Sequence, residues 1–325
     1  MNQARNGGAR RVCVLSGGVG AAKFLTGVVA AGAGEETAAV VNTGDDTSLY
    51  GLRICPDLDT ITYTLSGRVN QQAGWGLAGE TYGARDELQR LGDDAWFTLG
   101  DRDIGTHMYR TRRLAEGATL TQVTAEIAIG IPVALLPMTD GSVATRVTVE
   151  LPRDGQPHEV VEIDFQEYFV KYRHAPRVVR IGYRGADRAE PTPEVVEALG
   201  AAELIVIAPS NPLLSIWPIL SLPGLAELVA SRRDRVVAVT PIIAGKAVKG
   251  PLEAILDSLM HQSDVATIAS LYAPYASTLV IDTADAGRSA EVAAAGIEPL
   301  VTSTLMTGTR AAADLAGVVL EALWS

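Results

Sequence analysis

A chain of 325 residues is long enough to bury a large core, and 47% apolar with 20% charged residues excludes a disordered chain. A formal net charge of -11 excludes broad, sequence-independent binding to nucleic acid, which depends on Lys and Arg. It leaves room for an anionic small ligand, because backbone dipoles and a bound metal act locally.

The chain opens on MNQARNGGARR, which is polar and basic and runs at once into a strand, so no signal peptide is expected. VCVL at 12–15 reads as that first strand. SGGVGAAK follows, then an Ala, Leu and Val pattern from 21 to 31 that reads as a helix. Thr37 to Val41 is β-branched and apolar, a second strand. Helices are predicted over 58–66, 81–91, 102–116 and 120–128. Between 133 and 161 the pattern changes: ATRVTVEL alternates, PRDGQP turns, and HEVVEI continues. This predicts a β-rich insertion closed by a helix at 165–173. Strand and helix alternation then returns with LIVIAPS, VVAVTPI and TLVIDT, and a helix at 311–323 ends the chain. The predicted fold is α/β: a three-layer Rossmann-like core over 1–130 and 175–325, with a mainly parallel sheet. A smaller inserted α+β subdomain is expected at 131–174. Cys13 and Cys55 lie in apolar runs without CxxC or zinc spacing, which predicts small buried hydrophobes. No run of 18 apolar residues exists, so no membrane span is expected and the cytoplasm is the expected compartment.

Two loops carry chemistry. The first is SGGVGAAK, Ser16 to Lys23, between strand and helix. Gly17, Gly18 and Gly20 let backbone approach a phosphate, the helix start offers free N–H groups, and Lys23 adds a charge. The pattern matches neither GxxxxGK[ST] nor GxGxxG, so a merely tight turn is the competing reading. The second is VVNTGDDTSLYGLRICPDLDT at 40–60, where Asp45, Asp46, Asp57 and Asp59 face only Arg53 within the segment. Like charges so close need a cation between them. Asp57 follows Pro56 and is placed to cap the next helix, with Asp59 in its first turn. In the alternative reading one aspartate caps and the rest are solvated. An oxygen-only set without His or Cys suits Mg²⁺ bridging carboxylates and a diphosphate.

Further groups gather at strand ends and helix starts. LGDRDIGTHMYR brings Asp101, Arg102, Asp103 and His107, although a lone His is more often structural. APSNP follows one strand, and TPIIAGKAVKGP, with Gly245, Lys246 and Lys249, follows another. In an open parallel sheet those ends are where ligands bind.

Taken together, SGGVGAAKF, VVNTGDD with YGLRICPDLDT, WFTLGDRDIGTH, APSNP with SIWPIL, and PIIAGKAVKGP resemble the signature blocks of the 2-phospho-L-lactate transferase family. They stand in that family's order from about residue 12 to 251. The resemblance implies a step in coenzyme F420 biosynthesis. The terminal ribityl hydroxyl of the deazaflavin Fo attacks a guanosine diphospho-acid at the phosphorus next to the acid, and GMP leaves, with Mg²⁺ required. The acid is lactate in archaeal members and enolpyruvate in actinobacterial ones. Composition rich in Ala, Arg and Gly leans toward the actinobacterial type.

The resemblance places Asp45 and Asp59 at the reacting phosphate as catalytic residues and Mg²⁺ ligands. Asp59 alternatively holds the ribityl hydroxyls of Fo, with Arg102 at the deazaflavin or the acid. Gly17, Gly18, Gly20 and Lys23 are expected near the phosphates, and Ser210 and Asn211 at the guanosine with Gly245 and Lys246 nearby. A homodimer is expected. VGAAK stands where many members have TGTPK, NTGDD replaces NTAED, and Ala208 and Ala244 stand where glycine is commoner. Two other readings compete. A nicotinamide-dependent dehydrogenase explains the glycine loop but not the aspartates. A non-catalytic nucleotide-binding or nucleotide-sugar-binding regulator has no use for the DLDT and DRD segments.

Overall fold

The computed structural model describes residues 10–153, 156–248, 250–260 and 262–323. The chain begins with β1 (Val12–Ser16), α1 (Gly18–Ala30) and β2 (Thr37–Val41). A short hairpin, β3 (Thr47–Leu49) and β4 (Leu52–Ile54), precedes four helices: α2 (Pro56–Leu65), α3 (Gly83–Arg90), α4 (Asp101–Ala115) and α5 (Leu120–Ile127). Next come β5 (Ala134–Pro137), β6 (Ala144–Arg153), β7 (Gln156–Asp164) and β8 (Arg177–Arg184). The second half holds β9 (Leu204–Ile207), β10 (Val236–Val239), the two-residue strands β11 (Ile242–Ile243) and β12 (Lys246–Ala247), β13 (Thr278–Asp282) and β14 (Glu298–Thr302). Helices separate most of these, and Thr309–Glu321 is the last.

Seven strands form one parallel sheet in the order β14-β13-β10-β9-β1-β2-β5. The strands are apolar on both faces because both are covered. Cys13, Leu15, Ile205 and Ile207 enter one core, while Val12, Val14, Leu204 and Val206 enter the other, alternating residue by residue. The expected three-layer core is therefore present. Both cysteines are buried, Cys13 at the centre of the sheet and Cys55 against α1 and α2. No single helix among the described residues is long and apolar enough to cross a membrane.

The middle of the chain divides differently from the expected 131–174 insertion. Ala134–Pro137 pairs parallel with β2 and extends the main sheet. The small sheet, β7-β6-β8, is antiparallel and reaches Arg184, because the alternating RVVRIGYR segment supplies its third strand. Between β7 and β8 a π-helical turn covers Glu167–Lys171, inside the helix expected there. Val147, Val149, Ile163 and Tyr168 from this unit share a core with Ile205, Ile207 and Ile219. Residues 154–155 of the expected turn and residues 1–9 of the polar start lie outside the described residues.

The sheet order locates the site. From β1 the chain moves to β2 and β5 on one side, whereas β9, β10, β13 and β14 build the other. The crevice past the carboxyl ends of β1 and β9 is thus the point where strand order reverses.

Candidate active site

At that crevice the loop after β1 and the loop after β9 touch. Ser210 Oγ donates to the Gly17 carbonyl at 2.8 Å. A Cβ on Gly20 would lie 2.1 Å from the Pro209 carbonyl oxygen, so only glycine allows this approach. A Cβ on Gly17 would lie 2.6 Å from Asp57 Oδ2 and 2.6 Å from Ser215 Cβ. The glycines at these two positions thus serve close packing of the loop. α1 starts at Gly18, three residues before the expected start, with Gly17 as its extended N-cap.

The loop after β2 supplies the acids. Asn42 is fully buried and organises them. Its side-chain oxygen accepts from the Gly44 N–H at 2.8 Å. Its amide nitrogen donates to Asp57 Oδ2 at 2.9 Å, to Asp45 Oδ1 at 3.4 Å and to the Leu214 carbonyl at 3.3 Å. Asp57 is not the cap of α2. Pro56 takes the first helical position and Cys55 is the N-cap, so Asp57 falls in the first turn and faces Asn42 and the glycine loop. Asp45, Asp57 and Asp59 are each more than nine-tenths buried.

Two guanidiniums oppose the four carboxylates. Arg53 pairs with Asp46 at 2.9 Å, and the Cys55 thiol donates to the same Asp46 oxygen at 3.0 Å. Arg110, from α4, closes on Asp59: Nη1 donates to Oδ2 at 3.1 Å and Nη2 donates to Oδ1. Arg110 Nη1 also lies 3.3 Å from His107 Nδ1, and His107 Nε2 lies 3.3 Å from Asp103 Oδ1. Tyr63 donates to that Asp103 oxygen at 2.5 Å. Burial pulls the Arg110 guanidinium down, but its acidic neighbours, Asp59 first with Cys55 and Asp46, together outweigh it and leave it raised.

Asp45 and Asp57 have no cationic partner among the described residues. Burial, then the Asp57 and Asp46 charges, push Asp45 well above the usual carboxylate range. Burial pushes Asp57 up to about 7 despite the Asn42 hydrogen bond. Burial raises Asp46 to about 6 against the pull of Arg53. Residues 12–303 match the family model described as 2-phospho-L-lactate transferase CofD.

The chain belongs to that family.

Curated relatives named phosphoenolpyruvate transferase match nearly end to end. The Streptomyces griseus protein is 41% identical over 96% of this chain and 98% of its own length. The Streptomyces coelicolor protein is 39% identical over 94% and 96%, and the Mycolicibacterium smegmatis protein 38% over 95% and 100%. A UPF0052-family crystal structure from Bacillus halodurans shares the fold at TM-score 0.60 and 15% identity, covering 97% of this chain and 100% of that one. As the motifs implied, the CofD family is that of a transferase in coenzyme F420 biosynthesis.

The other residues expected at a CofD site are placed as follows. Arg102 lies at the exposed start of α4, where Nη1 donates to the Ala78 carbonyl at 2.7 Å, and it does not join the acid cluster. Lys23 is exposed, with Nζ 3.5 Å from the Met306 carbonyl oxygen. The Asn211 side-chain oxygen accepts from the Leu213 and Leu214 N–H groups at 3.0 and 3.1 Å, capping the π-helical turn there. Gly245, at φ 74°, turns the small β11–β12 hairpin, whose second strand begins at the exposed Lys246. Lys249 lies outside the described residues. Asp101 accepts from Thr81 Oγ1 and the Gly83 N–H, tying α4 to the start of α3.

Two side chains outside the expected set, Asn42 and Arg110, join the acid cluster. The signal for Arg110 is helical spacing, since Asp103, His107 and Arg110 fall on one face of α4 at i, i+4 and i+7. Beside the cluster, an apolar cavity of about 330 Å³ lies between the β3–β4 hairpin, α3 and the start of α4. Tyr50, Leu52, Leu88, Phe97, Leu99 and Ile104 line it. Its size falls in the range of small-molecule pockets.

The residues present fit the magnesium ion that the CofD family implies at one position and not at another. Around Asp45, the Thr43 and Thr145 hydroxyls and Asp46 Oδ1 are buried without a hydrogen-bonding partner, an oxygen set that suits a hard cation. Both oxygens of Asp59 are occupied by Arg110.

Proposed function

We propose that this chain transfers enolpyruvyl phosphate from a guanosine diphospho-acid to the terminal ribityl hydroxyl of Fo, releasing GMP and giving dehydro-F420-0. The hydroxyl oxygen forms the new bond to the phosphorus beside the acid. The bridging P–O bond breaks, and GMP leaves with its electron pair. The observation that carries the reading is the buried carboxylate cluster at the strand-order reversal, where the Arg110 fork holds both oxygens of Asp59. Asp59 orients the attacking hydroxyl and takes its proton. Asp45 would hold Mg²⁺, which when bound neutralises charge on the diphosphate. The loop at Gly17 to Gly20 receives the phosphates. Ser210 and Asn211 hold the guanosine end through their backbone, since their side chains are committed within the fold. The apolar cavity takes the flat ring of Fo, and Arg102 contacts the deazaflavin end or the acid. Enolpyruvate is favoured as the acid because the near full-length relatives carry that name.

The test mixes the protein with Fo, Mg²⁺ and either the lactyl or the enolpyruvyl guanosine donor, read by mass spectrometry. The enolpyruvyl adduct is expected, lighter than the lactyl one by two hydrogens. Turnover with neither donor ends the reading and favours a binding protein. A lactyl product alone corrects the donor.

A further inference from the structure

Asp59 sits at the centre of the proposed transfer, and the structure shows what orients it. Arg110 is 2% exposed, and both of its terminal nitrogens donate to the two oxygens of Asp59. A guanidinium stays charged when buried, and its planar fork matches one carboxylate in one orientation. The guanidinium is itself fixed from behind. Nη1 approaches the Arg53 carbonyl at 3.4 Å and His107 Nδ1 at 3.3 Å. The other ring nitrogen of His107, Nε2, lies 3.3 Å from an oxygen of Asp103, which Tyr63 holds in turn. Among the described residues, Asp59, Asp103 and His107 are the one group with metal-ligand spacing, their ligand atoms lying within 4.8 Å of one another. Arg110 already contacts two of the three, so the positive charge in that space is a side chain.

We propose that Arg110 is a positioning residue of the transfer reaction: it fixes the Asp59 carboxylate toward the acceptor hydroxyl, and His107 fixes Arg110. The proposal rests on the transferase reading above. A pair this deeply buried gains little stability over an apolar replacement, which is consistent with a role in orientation.

The experiment compares Asp59→Ala, Arg110→Lys and Arg110→Ala in the full chain, with kcat, both KM values and melting temperature measured for each. Lys keeps the charge and loses the fork. Arg110→Lys is expected to stay folded, with kcat down about a hundredfold and the donor KM near wild type. Added guanidinium chloride at low millimolar concentration is expected to restore part of the kcat of Arg110→Ala, while sodium chloride does not. A folded Arg110→Lys with wild-type kcat overturns the proposal. So does loss of activity that only tracks loss of folded protein and shows no guanidinium rescue, because Arg110 is then an element of the fold. An active Asp59→Ala instead removes the transferase reading of this site, a result distinct from a dead Asp59→Ala beside an active Arg110→Lys.

Discussion

The Asn42 amide nitrogen lies 2.9 Å from an oxygen of Asp57 and 3.4 Å from an oxygen of Asp45, so one neutral side chain holds two buried carboxylates in register. Removing it leaves both acids, the Leu214 carbonyl and the Gly44 N–H short of a partner. Asn42→Ala is expected to lower stability by about 2 kcal/mol, the scale of a buried polar group left unpaired. Urea unfolding checks it, and an unchanged midpoint contradicts the role given to Asn42.

The raised carboxylates set a pH dependence. Asp57 is raised to about 7 and Asp46 to about 6 from an ordinary value of 3.8, both by burial first. In the window between those values the folded protein binds more protons than the unfolded chain, so these groups contribute stability at low pH that is lost as pH rises. Without added metal, stability is expected to fall between about pH 4 and pH 7 from this source. Asp57→Asn is expected to flatten that slope. Denaturation curves at several pH values give the answer, and an equal slope in both proteins counts against it.

A cation bound at Asp45, as proposed, would reverse the same penalty. Mg²⁺ is expected to raise the melting temperature at pH 8 more than at pH 6, because ionised carboxylates bind it better. Asp45→Asn is expected to melt higher than wild type without metal and to lose the Mg²⁺ shift. An unaltered shift in that variant moves the ion elsewhere.

The apolar cavity makes a separate prediction. Leu88→Trp fills it from the α3 side, away from the acids. The KM for Fo is expected to rise about tenfold or more, equivalent to about 1.4 kcal/mol of weakened binding, while the KM for the guanosine donor stays put. Steady-state kinetics with each substrate varied in turn distinguish the two. Equal KM values in variant and wild type place the deazaflavin ring outside the cavity.

The parallel sheet was legible in runs such as LIVI and VVAV, because strands covered on both faces are apolar throughout. The small sheet was legible less well. ALLP at 134–137 looks like more of the insertion, and only its pairing with β2 assigns it to the main sheet. The acid-rich loop was visible as a cluster, but its wiring was not. Arg110 is 51 residues from Asp59, and no local pattern joins them. The glycine loop shows the opposite case: Gly17 and Gly20 stand out in the sequence, yet their most direct use is to let Asp57, Ser215 and Pro209 pack close.

The small sheet also props the acid loop. The Thr145 N–H donates to the Gly44 carbonyl at 2.6 Å, and Gln166 Nε2 donates to the Asp45 carbonyl at 3.0 Å. During synthesis the ribosome therefore releases the aspartates long before their scaffold. The loop lacks these two contacts until about a hundred further residues have emerged. Such late, long-range closure makes the nascent first half the stretch most in need of protection from misassembly.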